Sequence, residues 1–247
     1  MPDLYALIGN PLKHSFSEAF FNAKFKQEGI NAIYQNFEIK NVSDIICICQ
    51  THTNLCGFNV TMPYKETIIP LLSNLDSSAQ KANAVNAVKV SGSQMKGYNT
   101  DIFGFNALWD SNIKTNVSSV LILGSGGASK AVQVVLKSKN INYLIASRQP
   151  VMPNQISYPQ IWDSITEFQV IINATPLGMS PFRDVIPPIN TNKINKNHTV
   201  IDLIYNPSQT RLLQIAASQG AKIVNGWQMF ENQAIESWNI WSKRLSD

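Results

Sequence analysis

Residues 117–132 read Val-Ser-Ser-Val-Leu-Ile-Leu, then Gly-Ser-Gly-Gly-Ala, then Ser-Lys-Ala-Val, and no other stretch restricts the chain as much. A short run of Val, Ile and Leu is the signature of a strand buried on both faces, and the residues after the glycines have helix-forming character. Strand, glycine turn and helix make a phosphate cradle. Gly124, Gly126 and Gly127 allow a tight turn, and they let a pyrophosphate approach the N–H groups at the helix start, where the helix dipole favours negative charge. Ser129 takes the place of the third glycine of Gly-x-Gly-x-x-Gly, and a glycine turn by itself is equally compatible with a plain βα connection. The next strand, residues 142–146, ends at Ser147-Arg148. An acid there would hold a ribose 2′-hydroxyl, whereas arginine accommodates a 2′-phosphate, so NADP is favoured over NAD.

Around this unit the chain alternates strand and helix, which predicts a parallel sheet with helices on its faces. Residues 4–8, 33–37 and 55–60 read as strands, with a helix from about Ser17 and another over 42–52. Ser15 and Glu18 have the spacing of a capping box, a purely structural account of that serine. The third strand runs into Asn59-Val-Thr-Met-Pro-Tyr-Lys65. Pro63 suits the first turn of a helix, which would place Lys65 one turn in, with Asn59 and Thr61 at the carboxyl end of the strand where ligands of such sheets sit. A lone lysine there is also what a solvated surface charge looks like. Residues 84–90 and 94–98 flank Ser91-Gly92-Ser93 as a hairpin, with Asn86 inside its first arm, and Asn99-Thr100-Asp101 follows. Further strands are expected at 169–173, 199–203 and 221–224, a helix at 208–218, and a last amphipathic helix from Gly226 with Met229, Phe230, Ile235, Trp238 and Trp241 as its core stripe.

A chain of 247 residues accommodates two modest domains, and a net charge of +4 from scattered lysines and arginines suits a small anionic substrate and gives no ground for nucleic acid binding. No apolar run approaches the length that spans a bilayer, and Met-Pro-Asp-Leu-Tyr is not a leader pattern, so no membrane association and a cytoplasmic location are expected. Cys47, Cys49 and Cys56 are odd in number and lack zinc spacing, which predicts buried free thiols. His14, His52 and His198 have no ligand spacing either and are expected to be structural or exposed, so no metal site is expected.

Asn59-Val-Thr-Met-Pro-Tyr-Lys65, Ala84-Val85-Asn86, Asn99-Thr100-Asp101, Gly124-Ser-Gly-Gly-Ala128, Asn173-Ala-Thr-Pro-Leu-Gly-Met179 and Gln233-Ala234 together resemble the shikimate dehydrogenase family, in its order and over essentially the whole chain. The resemblance implies reversible reduction of 3-dehydroshikimate to shikimate with NADPH. It implies an α/β fold of two domains with a cleft between them: a mostly parallel substrate domain at 1–101, completed by the C-terminal helix 226–247, and a doubly wound Rossmann NADP domain at 102–225. Lys65 and Asp101 match the catalytic pair. Ser15 and Ser17 match the hydroxyls that hold the substrate carboxylate, Thr61, Asn86, Asp101 and Gln233 the groups on the ring hydroxyls, and Tyr205 a substrate-side tyrosine. Gly124, Ser125, Gly126, Gly127 and Ala128 match the diphosphate loop, Ser147 and Arg148 the adenosine-phosphate contact, and Leu203 and Gly226 positions near the nicotinamide. Glu18 replaces a usual proline, Ala87 a usual threonine and Asn83 a common glycine, and the prolines after Arg148 preclude the regular helix usual there. A monomer or homodimer is expected. The alternatives are a quinate/shikimate dehydrogenase using NAD, a non-catalytic shikimate-binding paralogue, and an unrelated two-domain reductase.

Overall fold

The computed structural model describes residues 1–13, 15–114 and 116–243. Two compact units divide it: Met1–Thr100 together with the chain from Ala234 on, and Asp101–Gln233. Each contains a six-stranded sheet.

In the first unit, β1 (Asp3–Gly9), α1 (Ser17–Gln27), β2 (Ala32–Glu38), α2 (Asp44–Thr51), β3 (Leu55–Val60), β4 (Asn74–Leu75), α3 (Ser77–Ala82), β5 (Ala87–Ser91) and β6 (Gln94–Tyr98) follow in chain order. The sheet order is β2-β1-β3-β5-β6-β4. Strands β2, β1 and β3 are parallel, β5 runs antiparallel to both β3 and β6, and β4 lies parallel to β6. Alternation along β1 fills both faces: Leu4, Ala6 and Ile8 join Phe58, Val60, Ile45 and Val88 on one side, while Tyr5 and Leu7 join Phe21, Phe25, Tyr34 and Trp241 on the other.

The second unit begins with α4 (Asp101–Asn112) and continues through β7 (Ser119–Leu123), α5 (Gly127–Ser138), β8 (Asn142–Ser147), β9 (Gln155–Ser157), α6 (Tyr158–Ile161), β10 (Val170–Asn173), β11 (Thr199–Asp202), α7 (Arg211–Ser218) and β12 (Lys222–Val224). All its strand pairs are parallel. The order β12-β11-β10-β7-β8-β9 is the doubly wound dinucleotide arrangement, with its reversal point between β7 and β10. The helix α8 (Trp227–Ser242) is shared: Met229 packs in the core of the second unit, whereas Ala234 and Trp241 pack in the first. Gly104 on α4 permits this in the second unit, because a Cβ there would run into the Met229 carbonyl.

Several local expectations give way to tertiary hydrogen bonds. The segment after Pro63 forms turns followed by a short 3₁₀ stretch at Ile69–Leu71, not an α-helix. The Lys65 carbonyl accepts from Val85 N at 2.7 Å, and the buried Tyr64 hydroxyl donates to the Ile39 carbonyl at 2.8 Å, so these groups are bound across the fold. Before α1, Phe16 holds the N-cap place with helical backbone angles and no side-chain cap, which leaves no capping box at Ser15 and Glu18. The hairpin turns on two residues, Gly92 and Ser93, and Asn86 stands just before β5. Of the last helix's stripe, Ile235 is exposed, and Ala234 and Ser237 are buried in its neighbourhood. Cys47 is exposed and Cys49 half-buried, because α2 lies on the surface and buries only Ile45 fully, and Cys56 on β3 is half-buried as well, so none of the three thiols is fully buried. His52 packs edge-on to Phe37, and His198 is buried and bonded to Asn195 and Ile165, while His14 lies outside the described residues.

A Cβ built on Gly57 of β3 would lie 2.5 Å from the Trp241 indole, whose Nε1 donates to Val88 O at 2.9 Å. Gly57→Ala is therefore expected to cost about 1–3 kcal/mol by overpacking, read as a lower urea midpoint followed by far-UV circular dichroism; an unchanged midpoint would refute this tight seat for α8.

Candidate active site

On the nucleotide side the chain leaves β7 at Gly124, whose φ of +97° favours glycine and whose N–H bonds to Ala146 O at 2.8 Å. Ser125 and Gly126 are exposed, Gly126 is the N-cap of α5 without a side-chain cap, and a Cβ on Gly126 would meet nothing within 4 Å. Gly127 and Ala128 open the helix. An uncapped start to a 12-residue helix beside open space suits a diphosphate, so the residues present fit the dinucleotide that the glycine turn predicts. Ser147, buried at the end of β8, has its hydroxyl 3.3 Å from that of Ser125 and 3.2 Å from the Gln149 carbonyl. Arg148 is exposed. Burial pushes the Tyr158 phenol up, and the charge of the Arg148 guanidinium works against that rise.

Beyond β11, Leu203 N donates to Asn173 O and Gly226 N to Ile204 O, both at 3.0 Å. A Cβ on Gly226 would collide with the Leu203 carbonyl, so glycine is what lets these two backbones approach. The Tyr205 ring lies 4.6 Å from that of Phe230 and 6.1 Å from that of Trp227.

In the first unit a buried polar cluster ties the strand ends together. Asn59 accepts from the Tyr34 hydroxyl at 2.9 Å and donates to Asn86 O at 3.0 Å and Ser237 Oγ at 2.9 Å. Asn86 accepts from Thr100 N at 2.6 Å and donates to Thr100 Oγ1 at 2.9 Å, and the Thr100 and Ser237 hydroxyls are 3.1 Å apart. Thr61 follows β3 with its N–H on Ile8 O, and Gly9 leaves room for its methyl group. Lys65 is half-buried, and Asp101, buried, opens α4 directly after Thr100. Ser15 Oγ accepts from Ser17 N at 3.2 Å, so those two serines stand together in one turn. Gln233 donates from Nε2 to Phe230 O at 3.0 Å and lies against Gly104.

A family model described as shikimate dehydrogenase substrate binding domain matches residues 7–88. A shikimate dehydrogenase (NADP(+)) of Methanosphaera stadtmanae is 37% identical over 255 residues, which span 96% of this chain and 90% of the relative. A crystal structure of shikimate dehydrogenase 1 from Peptoclostridium difficile superposes with a TM-score of 0.90 at 34% identity, covering 99% of this chain and 93% of that one. The chain belongs to the shikimate dehydrogenase family. A further shikimate dehydrogenase structure, in complex with NADP+, has a TM-score of 0.83 and 32% identity over 98% of this chain and 90% of its own.

Within this member of the shikimate dehydrogenase family, several polar residues pass unnoticed in the sequence. Ser237 and Thr210 look like ordinary helix or turn residues until their partners are known. Asp202 carried a signal that could have found it, a carboxylate ending an apolar strand. It is fully buried and accepts from Asn173 Nδ2, Ile204 N and Thr210 Oγ1 at 3.0, 3.0 and 2.6 Å.

Burial pushes the Asp202 carboxyl up to about 6, although its hydrogen bonds favour the charged form. A value raised on folding means that the contribution to stability is fully present below the ordinary carboxyl value of 3.8 and is lost as pH rises through about 6. Acidification from pH 7 to 5 is therefore expected to stabilise the protein by about 1 kcal/mol relative to an Asp202→Asn variant. Urea unfolding at the two pH values measures this, and identical pH dependence in both proteins would rule it out.

Proposed function

We propose that the chain is an NADP-dependent oxidoreductase that interconverts 3-dehydroshikimate and shikimate. The observation that carries this is the joint occurrence of a doubly wound parallel sheet with an uncapped glycine turn and nearly full-length kinship to enzymes named shikimate dehydrogenase (NADP(+)). One structural neighbour at 27% identity, from Listeria monocytogenes, holds shikimate and NAD. The substrate domain is taken as 1–101 completed by 226–247, and the NADP domain as 102–225. A cytoplasmic monomer or homodimer belongs to the same proposal.

In this scheme residues 124–128 hold the diphosphate, Ser147 and Arg148 the adenosine 2′-phosphate, and Leu203 and Gly226 flank the nicotinamide. Bound NADPH supplies the hydride that converts the ring ketone to an alcohol. The negative charge then developing on the ketone oxygen requires a proton, and the Lys65 ammonium both stabilises that charge and donates it. Asp101 accepts a hydrogen bond from a neighbouring ring hydroxyl and fixes the ring's orientation. Ser15 and Ser17 donate to the substrate carboxylate, Thr61, Asn86 and Gln233 bind ring hydroxyls, and Tyr205 bounds the substrate.

Shikimate and NADP+ incubated with the protein are expected to raise absorbance at the reduced-nicotinamide band. Lys65→Ala should lower kcat by about 10²–10⁴-fold with a much smaller change in KM, because its interaction strengthens in the transition state. No turnover in the parent, or a raised KM with kcat unchanged in the variant, refutes the assignment. Arg148→Ala should raise KM for NADPH by about 10–100-fold, the loss of a charge-assisted phosphate contact, and leave KM for NADH nearly unchanged. Equal changes for both cofactors would remove Arg148 from the discrimination.

A further inference from the structure

Asp202 takes no part in the proton step or in the cofactor contacts above, yet its burial is costly for a carboxylate and calls for a reason. Its three donors come from three places: the end of β10, the backbone just before Tyr205, and the N-cap of α7, where Thr210 Oγ1 also accepts from Leu213 N. Asn173 extends the chain of bonds. Its Nδ2 also donates to Leu177 O at 3.1 Å, and its Oδ1 accepts from Thr175 N at 3.0 Å and Thr175 Oγ1 at 2.7 Å. Thr175 Oγ1 in turn accepts from Leu177 N. The two loops that follow β10 and β11 thus hang from one carboxylate, and one of them carries Leu203 and Tyr205. Backbone bonds from Ala174 N to Leu123 O, Leu203 N to Asn173 O and Gly226 N to Ile204 O hold parts of these loops, and the side-chain bonds of Asp202 and Asn173 meet the N–H groups of Thr175 and Ile204 and the Leu177 carbonyl.

We propose that Asp202, acting through Asn173 and Thr210, is a positioning residue that fixes residues 174–178 and 203–206 so that Leu203 and Tyr205 stand in place for nicotinamide and substrate. This rests on the functional assignment above. An acceptor-only group suits the task, since a carboxylate meets several N–H and O–H donors without presenting a donor of its own. Deleting one donor leaves a buried charge short of a partner and releases one loop.

The test combines amide hydrogen exchange of the cofactor-free protein with steady-state kinetics of Thr210→Val, Thr210→Ser and Asp202→Asn. In Thr210→Val and Asp202→Asn, exchange over 174–178 and 203–209 should quicken by about tenfold or more, while β7 and β8 keep their protection. For the same variants kcat/KM for shikimate should fall by about tenfold or more, with KM for NADP+ within about threefold, since the glycine turn is untouched. Thr210→Ser keeps the hydroxyl and should return both readouts to within about twofold of the parent. Unchanged exchange, or faster exchange with kcat/KM for shikimate within about twofold, overturns the proposal and leaves Asp202 a purely structural anchor. Asp202→Asn carries the same decision if Thr210→Val does not fold. A parent protein that does not reduce NADP+ with shikimate overturns the functional assignment, and this inference with it.

Discussion

Two asparagine amides hold the first unit in register. Asn59 and Asn86 are buried, and every hydrogen bond they lacked would leave a polar group stranded in an apolar interior at a cost of about 1–3 kcal/mol. They satisfy one another through Thr100 and Ser237, and in doing so they fix backbone as well as side chains: Val60 N is held by Asn86 O, and Thr100 N by Asn86 Oδ1. Thr61 and Asp101 are each the next residue along. The pinned carbonyl of Lys65 on Val85 N extends the same frame. Positions 61, 65 and 86 are therefore set, within the first unit, by one bonded group of residues, most of which have no proposed chemistry.

The second unit meets the same need with a charge. Asp202 stands at the end of β11 as Asn59 stands near the end of β3, and both collect donors from neighbouring segments. The difference is electrostatic. A neutral amide network is indifferent to pH, whereas burial pushes the Asp202 carboxyl up to about 6, so the charge on this anchor depends on pH. A buried Tyr34 hydroxyl can answer a buried amide. Only a set of strong donors can answer a buried carboxylate.

Periodicity made the fold legible. The run at 119–123 alternates Val120 and Ile122 toward one core with Leu121 and Leu123 toward the other, so an apolar run without polar punctuation correctly read as a strand covered on both faces. The glycine turn was legible because its geometry is local. The helix after Pro63 was not, because its failure depends on Val85 and Ile39, which lie 20 or more residues away in sequence and claim the backbone and side-chain groups of the segment. Ser15 misled in a similar way, since the spacing of a capping box says nothing of whether the N-cap backbone is extended, and Phe16 there is helical. The anchoring role of Thr210 and Ser237 was invisible for want of any local pattern.

Departures from the family pattern prove to be accommodated at the backbone. Asn83, in the place of a common glycine, has φ 46° and ψ 42° at the end of α3, so the left-handed conformation is kept and is occupied by the non-glycine residue best able to adopt it. Ser129, where the fingerprint has its third glycine, is fully buried with its hydroxyl accepting from Gln133, so the tight seat of α5 on the sheet tolerates a side chain that finds a partner within the helix. The segment after Arg148 is altered more deeply. Gln155 accepts from Val151 N, and β9 turns back to pair with β8, so the connection is closed by its own hydrogen bonds instead of starting a helix. A helix there would have offered an N-terminus and further polar side chains to a phosphate. That arrangement is replaced here, and the proposed contact to a 2′-phosphate is left to the exposed Arg148, whose planar fork of donors suits such a group.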